Sequence, residues 1–124
     1  MQNNSLEGGR GVRYPKPPKR KKRQRHGKSL FIQAPGTCYL CELQGDYSQK
    51  YTELHHIFDG PNRRISEEYG FTVRLCLEHH REGKAAVHTN AETMKSLQRE
   101  AQKKFEETHT RVEFMRLIGK NYRD

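Results

Sequence analysis

The chain has little apolar material from which to build a core. Of its 124 residues, 31% are hydrophobic and none is tryptophan. A small domain with so thin a core usually depends on disulfides or a bound metal. No apolar run is long enough to span a membrane, and no N-terminal stretch has the apolar segment of a signal peptide. From these two absences we expect no association with a membrane and predict a cytoplasmic protein.

Cysteine is also scarce, which excludes a disulfide scaffold. The three cysteines, Cys38, Cys41 and Cys76, cannot all pair with one another. In a cytoplasmic chain, the C-x2-C spacing of the first two favours a zinc knuckle over a disulfide. Cys76 begins a C-x2-H segment that ends at His79. Since a structural zinc takes four ligands, the sequence predicts a Zn²⁺ site of three cysteines and His79, with His80 as the alternative fourth ligand.

The histidines outnumber what one zinc ion can use. The doublet His55-His56 lies between the cysteine segments, and His80 directly follows His79. This surplus suggests a second site that performs chemistry. Adjacent side chains on a regular strand face opposite sides, so both members of the doublet reach one metal only if the strand twists or ends there. Otherwise one histidine faces the site and the other packs or caps the zinc.

Positive charge is concentrated at one end of the chain. The formal net charge is +9; residues 1–30 hold ten Lys/Arg and one acid, whereas residues 31–124 hold fourteen of each sign. Residues 1–28 are predicted to be a disordered basic tail, because a Pro- and Lys-rich segment cannot bury apolar surface. A solubilising tail and a targeting signal are the alternatives to nucleic-acid binding. The residues expected to bind phosphates are Lys19, Arg20, Lys21, Lys22 and Arg23.

Turn formers and hydrophobic patterns predict three strands and two short helices before residue 90. The histidine doublet lies on a strand over residues 51–58, and residues 71–75 form the returning strand. A short apolar run at residues 30–32 predicts a further strand that leads into the zinc knuckle. Short helices are predicted at residues 66–69, stopped by a glycine, and at residues 77–84.

The last third of the chain predicts two helices that pack on this core. Asn90 is a good N-cap for a helix that runs to about Glu107. Thr110 and Glu113 match a capping box, which begins a second helix that stops at Gly119. Together the elements predict an α+β fold. The predicted parts are the basic tail (1–28), a zinc-bound core (29–90) and the C-terminal helices (91–124).

The order of these segments resembles the HNH endonuclease family. The segments that match are Cys38-x2-Cys41, Leu54-His55-His56-Ile57 and Cys76-x2-His79-His80, within residues 37–90. The resemblance implies a ββα-metal core, a hairpin plus a helix, embedded in a treble-clef zinc site. Small nucleases of phages and prophages have a similar arrangement. A phage-encoded protein of the bacterial host cytoplasm is therefore expected, with DNA and phage packaging or recombination proteins as partners.

The resemblance also implies a role for each surplus histidine. His55, together with His80 on the following helix, would bind a catalytic divalent metal such as Mg²⁺ or Mn²⁺. His56 would be the general base, because a neutral imidazole can take a proton from water at physiological pH. The metal would polarise the scissile phosphate and neutralise the leaving 3′ oxygen, giving 5′-phosphate and 3′-hydroxyl ends. The implied function is metal-dependent hydrolysis of DNA.

Two positions depart from the family pattern. The family's middle Asn precedes the last metal-ligand segment by a few residues, where this chain has Phe71 and Thr72. Asn62, in the turn after the first strand, is the nearest substitute and would hold the loop and position the base. Some members also carry a second helix histidine, at the position of Lys84 here. His88, further along, is the candidate that replaces it as a catalytic-metal ligand.

Three arginines flank the implied site. Arg63 and Arg64 follow the turn after the first strand, and Arg81 lies on the predicted helix. They are candidates for phosphate contacts on either side of the cut, or ordinary surface charge. Two hypotheses compete with the nuclease: a catalytically inactive treble-clef zinc module that binds DNA or RNA, and a ribosome-associated zinc protein. The histidine doublet argues against the first alternative, whereas the basic tail does not separate the nuclease from the second, because phosphates dominate binding to either nucleic acid.

Overall fold

A computed structural model describes residues 28–123 as a small α+β fold. The predicted phosphate-binding run of the tail, residues 19–23, lies outside the described residues. Within them, no helix is long and apolar enough to cross a membrane. The two strands are β1 (Thr52–His56) and β2 (Thr72–Cys76). The helices are α1 (Tyr39–Leu43), α2 (Arg63–Tyr69), α3 (Ala91–Phe105) and α4 (Arg111–Ile118), with a 3₁₀ turn at Gly60–Asn62 and a π-helical turn at Glu78–Glu82.

Strands β1 and β2 form an antiparallel pair, as the sequence predicted. Strand β1 is shorter than predicted, and β2 is shifted by one residue. His55 lies opposite Val73 and His56 opposite Thr72 in the register. Because successive side chains of a strand alternate between faces, the pleat separates the two histidines. His55 is 2% exposed, whereas His56 remains partly exposed beyond it. The hairpin therefore presents one histidine of the doublet on each face.

The strand predicted at residues 30–32 is wrong. These residues lie within the described range and form no strand. Ile32 is 94% exposed, and Gln33 contacts β2 through its side chain instead of a backbone ladder. Its Oε1 accepts from the backbone N–H of Arg74 at 2.8 Å, and its Nε2 donates to the Arg74 carbonyl at 3.1 Å. One amide side chain thus caps the sheet edge that a third strand would have used.

Helix α1 was not expected from the C-x2-C spacing, which predicted only a tight knuckle. The Cys38 side chain caps the helix by accepting a hydrogen bond from the backbone N–H of Cys41 at 3.4 Å. Helix α2 begins at Arg63, three residues earlier than predicted, and stops at Gly70 as predicted. The helix predicted over residues 77–84 is the shorter π-helical turn.

The two C-terminal helices begin where their capping residues predicted. Asn90 accepts hydrogen bonds from the backbone N–H groups of Glu92 and Thr93 at the start of α3. Thr110 and Glu113 form the capping box that begins α4. Such caps satisfy N–H groups that would otherwise lack partners. Both helices pack on the hairpin through buried aromatic rings, with centroid distances of 5.1–5.9 Å among Phe58, Phe71, Phe105 and Phe114.

Gly70 is the glycine with the tightest backbone surroundings among the described residues. Its φ is +81°, and a Cβ at this position would lie 2.1 Å from the carbonyl oxygen of Lys28. The Leu30 N–H donates to the Gly70 carbonyl at 2.9 Å, which holds the two segments together. Gly119 has a similar φ of +89°, but a Cβ there would meet nothing within 4 Å.

We therefore predict that Gly70→Ala destabilises the protein more than Gly119→Ala does. The left-handed conformation should cost each variant about 1 kcal/mol. Displacing the backbone at Lys28 should cost Gly70→Ala roughly 1–3 kcal/mol in addition. Urea unfolding of both variants measures the difference in the free energy of unfolding. Equal decreases would show that the backbone at Lys28 moves away from position 70 at little cost.

Candidate functional site: two metal-ligand groups

Cys38, Cys41, Cys76 and His79 converge in the folded chain into one buried group. The Nδ1 atom of His79 lies 3.4–3.5 Å from all three sulfurs, and the Sγ atoms of Cys41 and Cys76 are 3.8 Å apart. A tetrahedral zinc with its usual bond lengths implies about 3.6 Å for nitrogen–sulfur and about 3.8 Å for sulfur–sulfur pairs. The group could therefore hold a metal such as zinc. Of the two candidate histidines, His79 is the one that lies with the cysteines.

The surroundings of Cys41 suit a cation. Burial raises the pKa of its thiol to about 11, while a hydrogen bond from Lys50 acts in the opposite direction. The Lys50 Nζ atom lies 3.3 Å from the Cys41 Sγ atom and 2.9 Å from Asp46. The Cys41 thiol therefore stays protonated on its own, whereas a divalent ion stabilises thiolates. Three thiols and one imidazole are therefore a donor set that fits a metal such as zinc.

A second group consists of His55, His80 and His88, whose ligand atoms lie within 4.8 Å of one another. The Nε2 atoms of His80 and His88 are 3.1 Å apart, close to the roughly 3.3 Å implied by two imidazoles on one tetrahedral zinc. The His55 ring contacts both others edge-on, with centroids 5.3 and 5.0 Å away. The structure thus brings together the three histidines assigned to the catalytic metal.

His55 contributes the most informative atom of this group. Its Nε2 is the one buried side-chain nitrogen or oxygen without a hydrogen-bond partner among residues 28–123. Burial, with His88 and His80 nearby, lowers the pKa of His55 to about 3, so the ring is neutral at physiological pH. An unsatisfied buried polar atom is costly and calls for a partner. A neutral imidazole aimed at two others is a suitable metal donor.

His88 reaches the group because the chain folds back after the π-helical turn. The Gly83 N–H closes this turn on the Glu78 carbonyl at 2.8 Å. The N–H of His88 then donates to the carbonyl of His80 at 3.2 Å, which sets the two rings side by side. A Cβ at position 83 would lie 2.7 Å from the Glu78 oxygen, so the return requires glycine. Helical spacing alone could not place His88 here.

Glu53 orients His80, and the sequence analysis missed it. Its Oε1 lies 2.8 Å from the Nδ1 of His80, leaving the Nε2 of that ring directed at His88. Arg81, then His80, lower the pKa of Glu53 to about 2, so the carboxylate is charged. The strand alternation that puts Glu53 and His55 on one face was available in the sequence. Carboxylates in this position commonly fix the tautomer of metal-binding histidines.

Arg81, proposed from the sequence to contact phosphate, makes a two-point ion pair with Glu53. Its Nε and Nη2 atoms lie 3.1 and 2.9 Å from the two carboxylate oxygens. The side chain remains 56% exposed at the rim of the histidine group. Arg64 and Arg63 are exposed on α2, and together with Gly60, Pro61 and Glu67 they line a shallow groove. The three arginines are thus exposed on two different elements around the hairpin.

His56 lies outside the three-histidine group, on the other face of β1. Its Nε2 atom is 2.5 Å from the Oε1 of Glu67, a residue of α2 that no sequence signal singled out. Asn62 makes no hydrogen bond to His56; its Nδ2 donates to the carbonyl of Ile118 at 3.2 Å. The doublet thus supplies one histidine to the possible metal group and one to a pair with a carboxylate.

No protein-family model matches the chain, and neither a curated protein nor a solved structure matches it. Function is therefore inferred from the geometry of the two ligand groups and from the sequence pattern.

We predict that the two groups bind separate metal ions. In protein reconstituted with Co²⁺, Cys76→Ser should abolish the thiolate-to-cobalt absorption. His55→Ala should preserve that absorption and remove about one equivalent of bound metal. Metal analysis and absorption spectra measure both effects, with His109→Ala as a histidine control outside both groups. Unchanged metal content in His55→Ala would exclude a metal at the three histidines.

Proposed function

We propose that the protein is a metal-dependent endonuclease of the HNH type that hydrolyses phosphodiester bonds in DNA. The observation that carries this proposal is the second ligand group. A structural metal at Cys38, Cys41, Cys76 and His79 needs no further histidines. Three more nevertheless converge beside it, and the buried Nε2 of His55 has no partner among the described residues. An isolated zinc-binding module would have no use for this arrangement.

The fold is consistent with the proposal. Strands β1 and β2 make an antiparallel hairpin, and the π-helical turn follows β2 directly. This order supports a ββα-metal core. A treble-clef site with a structural Zn²⁺ is supported by the positions of its four ligands. Cys38 and Cys41 lie at α1, and Cys76 and His79 lie at the end of β2 and in the π-helical turn. In the proposed fold this zinc would brace the hairpin, and the helical turn would carry His80.

The donor set favours a transition metal over Mg²⁺ in the catalytic position. All three ligands are imidazoles, which suit ions such as Zn²⁺ or Ni²⁺, whereas Mg²⁺ prefers oxygen donors and several waters. The carboxylate of Glu53, which contacts this group, is already engaged by His80 and Arg81. The bound ion would polarise the scissile phosphate and neutralise the leaving oxygen.

In the proposed reaction, His56 takes one proton from the attacking water. The water oxygen forms a bond to phosphorus, the bond from phosphorus to the 3′ oxygen breaks, and the 3′ oxygen takes a proton from solvent. His55 and His56 are consecutive, so their Cα atoms are about 3.8 Å apart although their side chains diverge. The substrate would therefore lie across the end of β1, where the strand stops at His56. The exposed Arg63 and Arg64 beyond this end are the proposed phosphate contacts.

We predict that the protein nicks supercoiled plasmid more efficiently with Ni²⁺ than with Mg²⁺. His56→Ala should lower the cleavage rate by about 10²–10⁴-fold through loss of the general base. His55→Ala should lower it through loss of the metal, and His109→Ala should cleave normally. Gel assays with purified full-length variants measure these rates. Plasmid binding without cleavage under any divalent metal would instead support a DNA- or RNA-binding zinc module.

We also predict that the basic tail supplies much of the affinity for DNA. Residues 1–27 contain nine Lys/Arg against one acid. Each lost phosphate contact should reduce the salt dependence of binding by about 0.9 in the slope of log K against log salt. Fluorescence anisotropy of the 1–27 deletion and the full-length chain at several salt concentrations measures this change. Equal slopes would show that the tail does not bind DNA, provided that both chains melt at the same temperature.

A further inference from the structure

We infer that Glu67 is the positioning residue for His56. Its carboxylate accepts a hydrogen bond from the Nε2 of the ring and fixes both the orientation and the tautomer of His56. This inference rests on the proposed function, in which His56 is the general base. It also assigns to α2 the task that Asn62 was expected to perform.

The contact joins two partly buried side chains. The Nε2 of His56 and the Oε1 of Glu67 are 2.5 Å apart, and the side chains are 11% and 15% exposed. Hydrogen bonds that involve an ionised partner are stronger than neutral ones, and limited exposure reduces competition from water. The His56–Glu67 pair is thus shielded enough for a fixed geometry, while His56 keeps some access to solvent.

Helix α2 is anchored at the residue next to Glu67. The Oγ of Ser66 donates to the carbonyl of Phe58 at 2.6 Å and accepts from the Phe58 N–H at 3.0 Å. Ser66 is fully buried, and its own carbonyl accepts from Phe71 N–H at 2.9 Å. These bonds tie the helix to both strand connections, at Phe58 and at Phe71. They fix the backbone from which the Glu67 side chain extends to His56.

The carboxylate of Glu67 determines which ring nitrogen of His56 carries the proton. An ionised carboxylate can only accept hydrogen bonds, so the ring must donate from Nε2. A neutral imidazole with its proton on Nε2 has its basic lone pair on Nδ1. The pair thus selects Nδ1 as the atom that takes the proton from water, just as a buried carboxylate selects the tautomer of the histidine in serine proteases. The Nδ2 of Asn62 donates instead to the carbonyl of Ile118.

Nitrogen-15 spectra of histidine-labelled full-length protein test the inference without requiring activity. His56 is assigned as the signal that disappears in His56→Ala. We expect the Nε2–H tautomer in the wild type, and a shift towards a tautomer mixture in Glu67→Ala. Glu68→Ala, which changes the next, exposed carboxylate of the same helix, should leave the signal unchanged. A wild-type proton on Nδ1, or no shift in Glu67→Ala, would overturn the inference.

Kinetics give the second readout. Glu67→Ala should lower kcat by roughly 10- to 100-fold, a part of the 10²–10⁴-fold that a general base contributes, while KM for DNA and metal content stay unchanged. Glu67→Gln, which keeps an acceptor oxygen, should retain more activity. In the His56→Ala background, Glu67→Ala should cause no further loss. An independent, additive loss there would contradict a positioning role. If wild type does not cleave, the proposed nuclease fails, while the tautomer spectra still decide the role of Glu67.

Discussion

The convergence of Cys38, Cys41, Cys76 and His79 is the constraint on which the rest of the structure depends. A two-stranded sheet is marginal by itself, and this chain has few apolar residues to stabilise it. The ligand atoms of these four side chains lie within 4.8 Å of one another, and they join the start of α1, the end of β2 and the π-helical turn. A metal held there would link segments nearly forty residues apart, a distance over which loop closure costs appreciable entropy.

The π-helical turn divides adjacent histidines between the two ligand groups. His79 faces the sulfurs, and His80 faces His55 and His88. A change that loosens the cysteine group should therefore also displace His80. The proposed catalytic metal would depend on the proposed structural zinc in this way, although the two ions share no ligand. This coupling explains how so small a core could hold three imidazoles at metal-binding separations.

Strand β1 carries one histidine on each face, and each face also has a carboxylate. On one face, Glu53 contacts His80 beside His55; on the other, Glu67 contacts His56. The pleat that separates the doublet would be an obstacle if both side chains had to bind one ion. It becomes useful if one histidine binds metal and the other handles a proton, because each then has its own surroundings. Burial and neighbouring imidazoles lower the pKa of His55, whereas His56 lies beside the carboxyl group of Glu67.

The sequence alone determined the features that depend on local spacing. These were the hairpin strands, the caps of α3 and α4, and the C-x2-C and C-x2-H ligands, because alternation, capping and ligand spacing act over a few residues. Tertiary structure decided which residues meet over longer distances. In the folded chain, His79 and not His80 lies with the cysteines, and His88 lies beside His80 because the chain folds back after Gly83. Glu67 contacts His56. Tertiary structure also replaced the strand predicted at residues 30–32 by a side-chain contact from Gln33. Such pairings follow from the path of the backbone between elements, which local sequence patterns do not encode.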